Sequence, residues 1–106
     1  MPKFLIQASY TAEGAKGLMK DGGTKRRQAA ESGIKSAGGS IEAFYFAFGD
    51  DDAYVIVDAP DYATVAAASI AINASGAVRT KTIALLTPED IDQAVKKTVN
   101  YRAPGQ

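Results

Sequence analysis

Residues 40–59 read SIEAFYFAFGDDDAYVIVDA, two apolar segments joined by one glycine and three aspartates. The apolar segments are rich in aromatic and β-branched residues, which favour strands. Gly49 and the aspartates that follow it are typical of a tight turn. The stretch therefore predicts a β-hairpin with one strand over residues 40–48 and the next over residues 52–59.

Strand and helix patterns alternate on both sides of this hairpin. Before it, residues 4–10 predict a strand, and a helix capped by Thr11 follows, interrupted at Asp21-Gly22-Gly23. After it come a helix from Pro60 to about residue 75, a strand over residues 77–86 and a last helix opened by Thr87-Pro88. The order β-α-β-β-α-β predicts a ferredoxin-like α+β fold, an antiparallel sheet with helices on one face and an extra C-terminal helix. We expect one domain over residues 1–99 and a flexible tail over residues 100–106.

The amino-acid composition excludes several classes of function. Among 106 residues, twelve Lys and Arg balance twelve Asp and Glu, and Cys, His and Trp are absent. Without His or Cys we expect no metal site and no cofactor, and without excess positive charge we expect neither nucleic acid nor a membrane as a partner. The basic run at residues 25–27 is interpreted as a solvated helix face. No leader pattern is visible, so the expected location is the cytoplasm.

The sheet face away from the helices predicts a partner subunit. The second strand is apolar on both parities, with Ile41, Ala43 and Tyr45 on one and Phe44 and Phe46 on the other. A bare apolar face of this size is unusual in a monomer. We expect a homo-oligomer, with a dimer favoured over a trimer. The alternative is that the C-terminal helix folds back over this face.

Polar residues on the same face form the candidate site. Alternation along the strands places six of them together, and these candidate ligand-binding residues are Gln7, Ser9, Asp52, Tyr54, Asp58 and Arg79. Asp52, Asp58 and Tyr54 are the candidate catalytic residues, because a carboxylate base beside a phenol suits carbon-acid chemistry. The two aspartates have plainer interpretations, turn chemistry for Asp52 and an ion pair or strand-end cap for Asp58. The function expected is small-molecule binding, extending to a cofactor-independent enzyme; the alternative is a structural module with a dry interface.

Four segments of the chain share a pattern seen in other proteins. They are the turn at residues 48–52, the strand ending Asp58-Ala59-Pro60-Asp61, the segment Gly76-Ala77-Val78-Arg79-Thr80-Lys81-Thr82, and the first-helix residues Arg26 and Gln28-Ala29-Ala30. Together these segments resemble the GYD-domain family. The resemblance extends to about Thr87. It implies a ferredoxin-like fold related to dimeric α/β-barrel proteins, in which two sheets pack around a cavity, and it implies no particular reaction.

The turn departs from the family signature at one position. The signature has Gly-x-Tyr-Asp; here Gly49 and Asp52 match, and Asp51 stands in place of the tyrosine. Because the matching acid is retained, Asp52 is the aspartate expected to matter most. We expect its carboxylate to accept hydrogen bonds that fix the turn and the start of the third strand.

Overall fold

The computed structural model describes residues 1–106 and contains four strands and three helices. In chain order they are β1 (Lys3–Tyr10), α1 (Ala12–Ser36), β2 (Ser40–Phe46), β3 (Ala53–Asp58), α2 (Tyr62–Ala74), β4 (Val78–Leu85) and α3 (Pro88–Val95). The strands form one antiparallel sheet in the order β2-β3-β1-β4. The predicted ferredoxin-like α+β fold is therefore confirmed.

The helices begin where the sequence places capping side chains. Thr11 accepts a hydrogen bond from the Gly14 amide, and Thr87 forms a reciprocal capping box with Asp90. Asp61 caps α2 by accepting from the Thr64 amide, and this hydrogen bond lowers the pKa of the Asp61 carboxyl below its ordinary value of 3.8. α1 is broken at Gly22, which has φ of 79°, so the predicted interruption is also present.

The core lies between the helices and one face of the sheet. Phe4 and Ile6 of β1 and Val55 and Val57 of β3 pack there with Ile34 of α1, all of them buried. The odd-numbered residues of β1 point to the opposite face, as strand alternation requires. That opposite face carries no helix and is called the open face below.

A β-bulge in β2 corrects the predicted alternation of that strand. Ile41 pairs with Val57 and Ala43 with Ile56, so Glu42 is the extra residue between them. The bulge moves Ile41 to the helix-covered face, where it packs against the core together with Phe44. The expectation that Ile41 shares a face with Ala43 and Tyr45 was wrong, because one inserted residue reverses the parity of everything before it.

The last helix does not fold back over the open face. All eight residues of α3 are exposed, and its apolar side chains Ile91 and Val95 are 47% and 75% exposed. The alternative in which this helix covers the sheet is therefore wrong. No helix of the chain combines the length and apolar character needed to cross a membrane. The cytoplasmic location stays a prediction.

Candidate functional site

Strand pairing brings polar residues of three strands together at one end of the open face. Gln7 of β1 lies between Tyr54 of β3 and Lys81 of β4, and Ser9 lies opposite Arg79. Because neighbouring strands are about 4.8 Å apart, side chains in one such row are within reach of each other. These two adjacent rows contain four of the six predicted site residues: Gln7, Ser9, Tyr54 and Arg79.

The centre of this end is Asp51, a carboxylate that is only 2% exposed. One carboxylate oxygen accepts from Ser9 Oγ at 3.0 Å. The other accepts from Gln7 Nε2 at 3.2 Å and lies 3.3 Å from Lys81 Nζ. We call Asp51, Gln7, Ser9 and Lys81 the Asp51 cluster. A buried carboxylate needs paired donors of this kind, and here three side chains supply them.

Asp52 performs the structural role predicted for it but lies outside this cluster. Its Oδ2 accepts from the Tyr10 amide at 2.8 Å, and its own amide donates to the Ala8 carbonyl oxygen at 2.8 Å. These bonds tie the end of the turn to the end of β1. The side chain of Asp52 lines a hollow near Tyr10 and Leu18 on the helix side. The prediction that Asp52 lies with Gln7 and Ser9 is therefore wrong; Asp51 is the aspartate that contacts them.

Asp58 lies at the other end of the open face. Lys3 Nζ is 2.9 Å from Asp58 Oδ1 and 2.8 Å from Glu42 Oε2. These hydrogen bonds, first to Glu42 and then to Asp58, raise the pKa of Lys3 above its ordinary value of 10.5. Asp58 is four positions from Tyr54 along β3, roughly 13 Å of extended chain. Asp58 is thus part of an ion-pair network and does not meet the other candidate residues.

Apolar side chains occupy the open face between these two polar ends. Leu5 of β1 pairs with Ile56 on one side and with Ile83 on the other. Leu5 and Ile56 are half-buried and Ile83 is 45% exposed. This surface suits contact with an apolar group, because transferring such side chains out of water is favourable.

The chain does not by itself enclose the open face. Its principal hollows lie on the helix side of the sheet, and none of them is lined by Gln7, Ser9 or Asp51. The three consecutive aspartates of the turn do not form a convergent group of metal-binding carboxylates. The open face carries three kinds of reactive or binding group: the buried carboxylate of Asp51, the cationic side chains of Lys81 and Arg79, and the phenol of Tyr54.

Sequence reasoning missed Asp51 as the central residue. Asp51 and Asp52 are adjacent in a turn, where strand alternation no longer specifies which side chain faces which side. Lys81 is two residues from Arg79 on β4 and so shares its face, and in the structure its Nζ lies 3.3 Å from Asp51. One feature of the sequence could have pointed to Asp51: it is an aspartate at the position where the family signature has a tyrosine.

Comparison with known proteins yields one finding. The family model described as GYD domain matches residues 4–95, which is nearly the whole chain and includes the turn, the Asp51 cluster and all four strands. No curated protein and no solved structure matches the chain.

Proposed function

This chain belongs to the GYD-domain family, and we propose that it binds a small molecule on the open face, in a site that a second copy of the chain closes. The observation that carries the proposal is the Asp51 cluster. A carboxylate that is 2% exposed lies on a sheet face that no helix covers, which is an unusual place for a buried charge. A charge buried there needs its paired donors to be held in place, so the cluster presents fixed polar groups of the kind that orient a small-molecule ligand.

The surroundings of Asp51 favour a ligand with a polar head and an apolar body. Lys81 contacts Asp51 yet its side chain is 66% exposed, and Arg79 beside it makes no ion pair within the chain. These two cations and Tyr54 would bind the head. Leu5 and Ile56, next along the strands, would contact the body. Small-molecule sites usually combine an apolar surface with a few polar groups in fixed positions.

A second copy of this chain is the partner we propose for closing the site. The open face exposes Ile83 and, on β2, Tyr45, which is 71% exposed. Two such faces packed together would remove these side chains from water and leave the polar ends as the walls of a cavity. We propose a dimer ahead of a trimer, since two sheets packed face to face need one two-fold interface.

Catalysis without a cofactor is the finer form of this proposal. Asp52 and Asp58 are less suited to it than the sequence suggested, because Asp52 lines a hollow on the helix side and Asp58 lies at the far end of the open face. Asp51 replaces them as the candidate base, with Tyr54 and Lys81 positioned to stabilise developing negative charge.

A structural module is the second candidate function. The observation favouring it is that every polar contact of Asp51 is made inside the chain, by Gln7, Ser9 and Lys81. In that case the cluster would only stabilise the turn, and the open face would be a dry interface between copies.

A thermal-shift screen separates the two functions. The panel would contain small carboxylic acids, phenols, amino acids and sugar phosphates, because a ligand that binds only the folded state must raise the melting temperature. Compounds that raise it would be tested on Asp51→Asn, with Asp50→Asn as the matched control from the exposed part of the turn. We expect stabilisation by at least one compound to be lost in Asp51→Asn and kept in Asp50→Asn.

Two results would contradict ligand binding at the open face. One is that no compound stabilises the protein; the other is that every stabilising compound acts equally on Asp51→Asn and on the wild type. If Asp51→Asn does not fold, Lys81→Gln gives the same comparison from a mostly exposed side chain. A folded oligomer without any ligand response would favour the structural module.

A further inference from the structure

A cavity lies on the side of the sheet opposite the open face, between α1 and α2. Its volume is about 260 Å³, and 14 of the 18 residues lining it are hydrophobic. The sheet forms its floor and the two helices form its walls, where small side chains leave the space between the helices unfilled. Floor and walls include Ile6 and Val55, Ala30 and Gly33 of α1, and Ala68 and Ala71 of α2.

Arg26 of α1 is the charged residue in this lining. Its Nε is buried and has no hydrogen-bond partner in the chain, the one buried side-chain nitrogen or oxygen of which this is true. Glu13 and Asp21 line the neighbouring hollow that Arg26 shares, yet neither forms an ion pair with it. A buried polar group without a partner is costly, so its presence requires an explanation.

The neighbouring arginine shows that this burial is specific to Arg26. The side chain of Arg27 is 52% exposed and lies 3.8 Å from Glu31 one helical turn later, as expected for a solvated helix face. The interpretation of residues 25–27 as a solvated helix face is therefore wrong for Arg26, whose Nε is buried. The helix turns about 100° per residue, so adjacent arginines face different surroundings.

We propose that this cavity binds a small apolar monocarboxylate, with Arg26 as the residue that recognises the carboxylate. An apolar lining excludes strongly hydrated ligands, whereas the guanidinium pairs with a carboxylate through charge-assisted hydrogen bonds. The volume of about 260 Å³ is slightly below the roughly 300–1,000 Å³ found for ligand pockets, which limits the ligand to a short chain or a single ring. This site is independent of the open face, from which the sheet separates it.

Octanoate and its neutral analogue octanamide provide the test. Both carry the same apolar chain, and only octanoate has the charge that Arg26 would bind. By calorimetric titration of the full chain we expect one octanoate per chain and about ten- to hundredfold weaker binding of octanamide, the range that a hydrogen bond to a charged group accounts for. In Arg26→Gln this preference for octanoate should disappear, while Arg27→Gln should keep it.

The proposal is overturned if octanoate does not bind, if the two compounds bind equally to the wild type, or if Arg27→Gln loses the preference as fully as Arg26→Gln does. If Arg26→Gln fails to fold, Ala30→Leu provides the second variant, since it keeps the arginine and fills the cavity. Circular dichroism would verify that Ala30→Leu is folded, and binding of both compounds should then be lost. Unchanged binding to Ala30→Leu would also overturn the proposal. Because the Asp51→Asn variant leaves this cavity intact, it should bind octanoate as the wild type does, whatever happens at the open face.

Discussion

Two adjacent aspartates in the turn have opposite surroundings. Asp51 points to the open face and meets Gln7, Ser9 and Lys81, whereas Asp52 bonds to the backbone of Tyr10. The sequence showed that this turn mattered, because three carboxylates follow one glycine between two strands. It could not show which carboxylate is buried, since that depends on how the turn crosses the end of β1.

The hydrogen bond from the Tyr10 amide to Asp52 gives a stability prediction. Asp52→Ala removes the acceptor and leaves a half-buried backbone amide without a partner, which should lower the free energy of unfolding by about 1–3 kcal/mol. Asp52→Asn keeps a side-chain oxygen that can accept the same bond, so it should cost much less. Urea denaturation followed by circular dichroism measures both.

Asp50→Ala is the control for this pair, because Asp50 is exposed and its side chain makes no hydrogen bond. It should change the unfolding free energy by less than about 0.5 kcal/mol, as exposed substitutions usually do. Equal stability of Asp52→Ala and Asp50→Ala would show that the Tyr10 contact does not stabilise the turn.

At the scale of the elements, local signals predicted more than periodicity did. Thr11 and Thr87 are strong helix-start signals, and both cap helices in the structure. The bulge at Glu42 was not predictable, because the residues around it are apolar on both parities and fit either register. The prediction of the site rested on the alternation of side chains along the strands. It therefore found the strand residues Gln7, Ser9 and Tyr54 and missed Asp51, which lies in the turn.

The break in α1 gives a prediction at this scale. Gly22 has φ of 79°, a conformation that a side chain opposes, so Gly22→Ala should lower the free energy of unfolding by about 1–2 kcal/mol. Gly17 lies in the same helix with ordinary helical φ, and a Cβ added there meets nothing within 4 Å. Gly17→Ala should therefore raise the free energy by about 0.5–1 kcal/mol. Thermal or urea unfolding measures both, and Gly22→Ala stabilising the protein as Gly17→Ala does would mean that the kink is dispensable.

On the scale of the whole molecule, the chain leaves two apolar surfaces uncovered. One is the middle of the open face, and the other is the apolar side of α3 with Val99 beyond it, which is 76% exposed. The molecule measures 56 × 32 × 22 Å, and every residue from 88 to 106 is exposed. Ile91, Ala94 and Val95 recur at helical spacing and make α3 amphipathic; its position depends on contacts that a single chain does not supply.

These two surfaces predict an oligomer that depends on α3. Stable protein–protein interfaces bury about 1,200–2,000 Å² in total. We expect the open face together with α3 to supply the buried apolar area of the dimer. Light scattering at micromolar concentration should give twice the chain mass of 11.1 kDa. A chain ending at Thr87 should dissociate at concentrations at which the full chain stays dimeric, because the apolar side of α3 is lost. A chain ending at Val99 keeps α3 and should remain dimeric, which makes it the matched control. A full-length protein that is monomeric at these concentrations would refute the oligomer and leave the open face without the second wall that the proposed site requires.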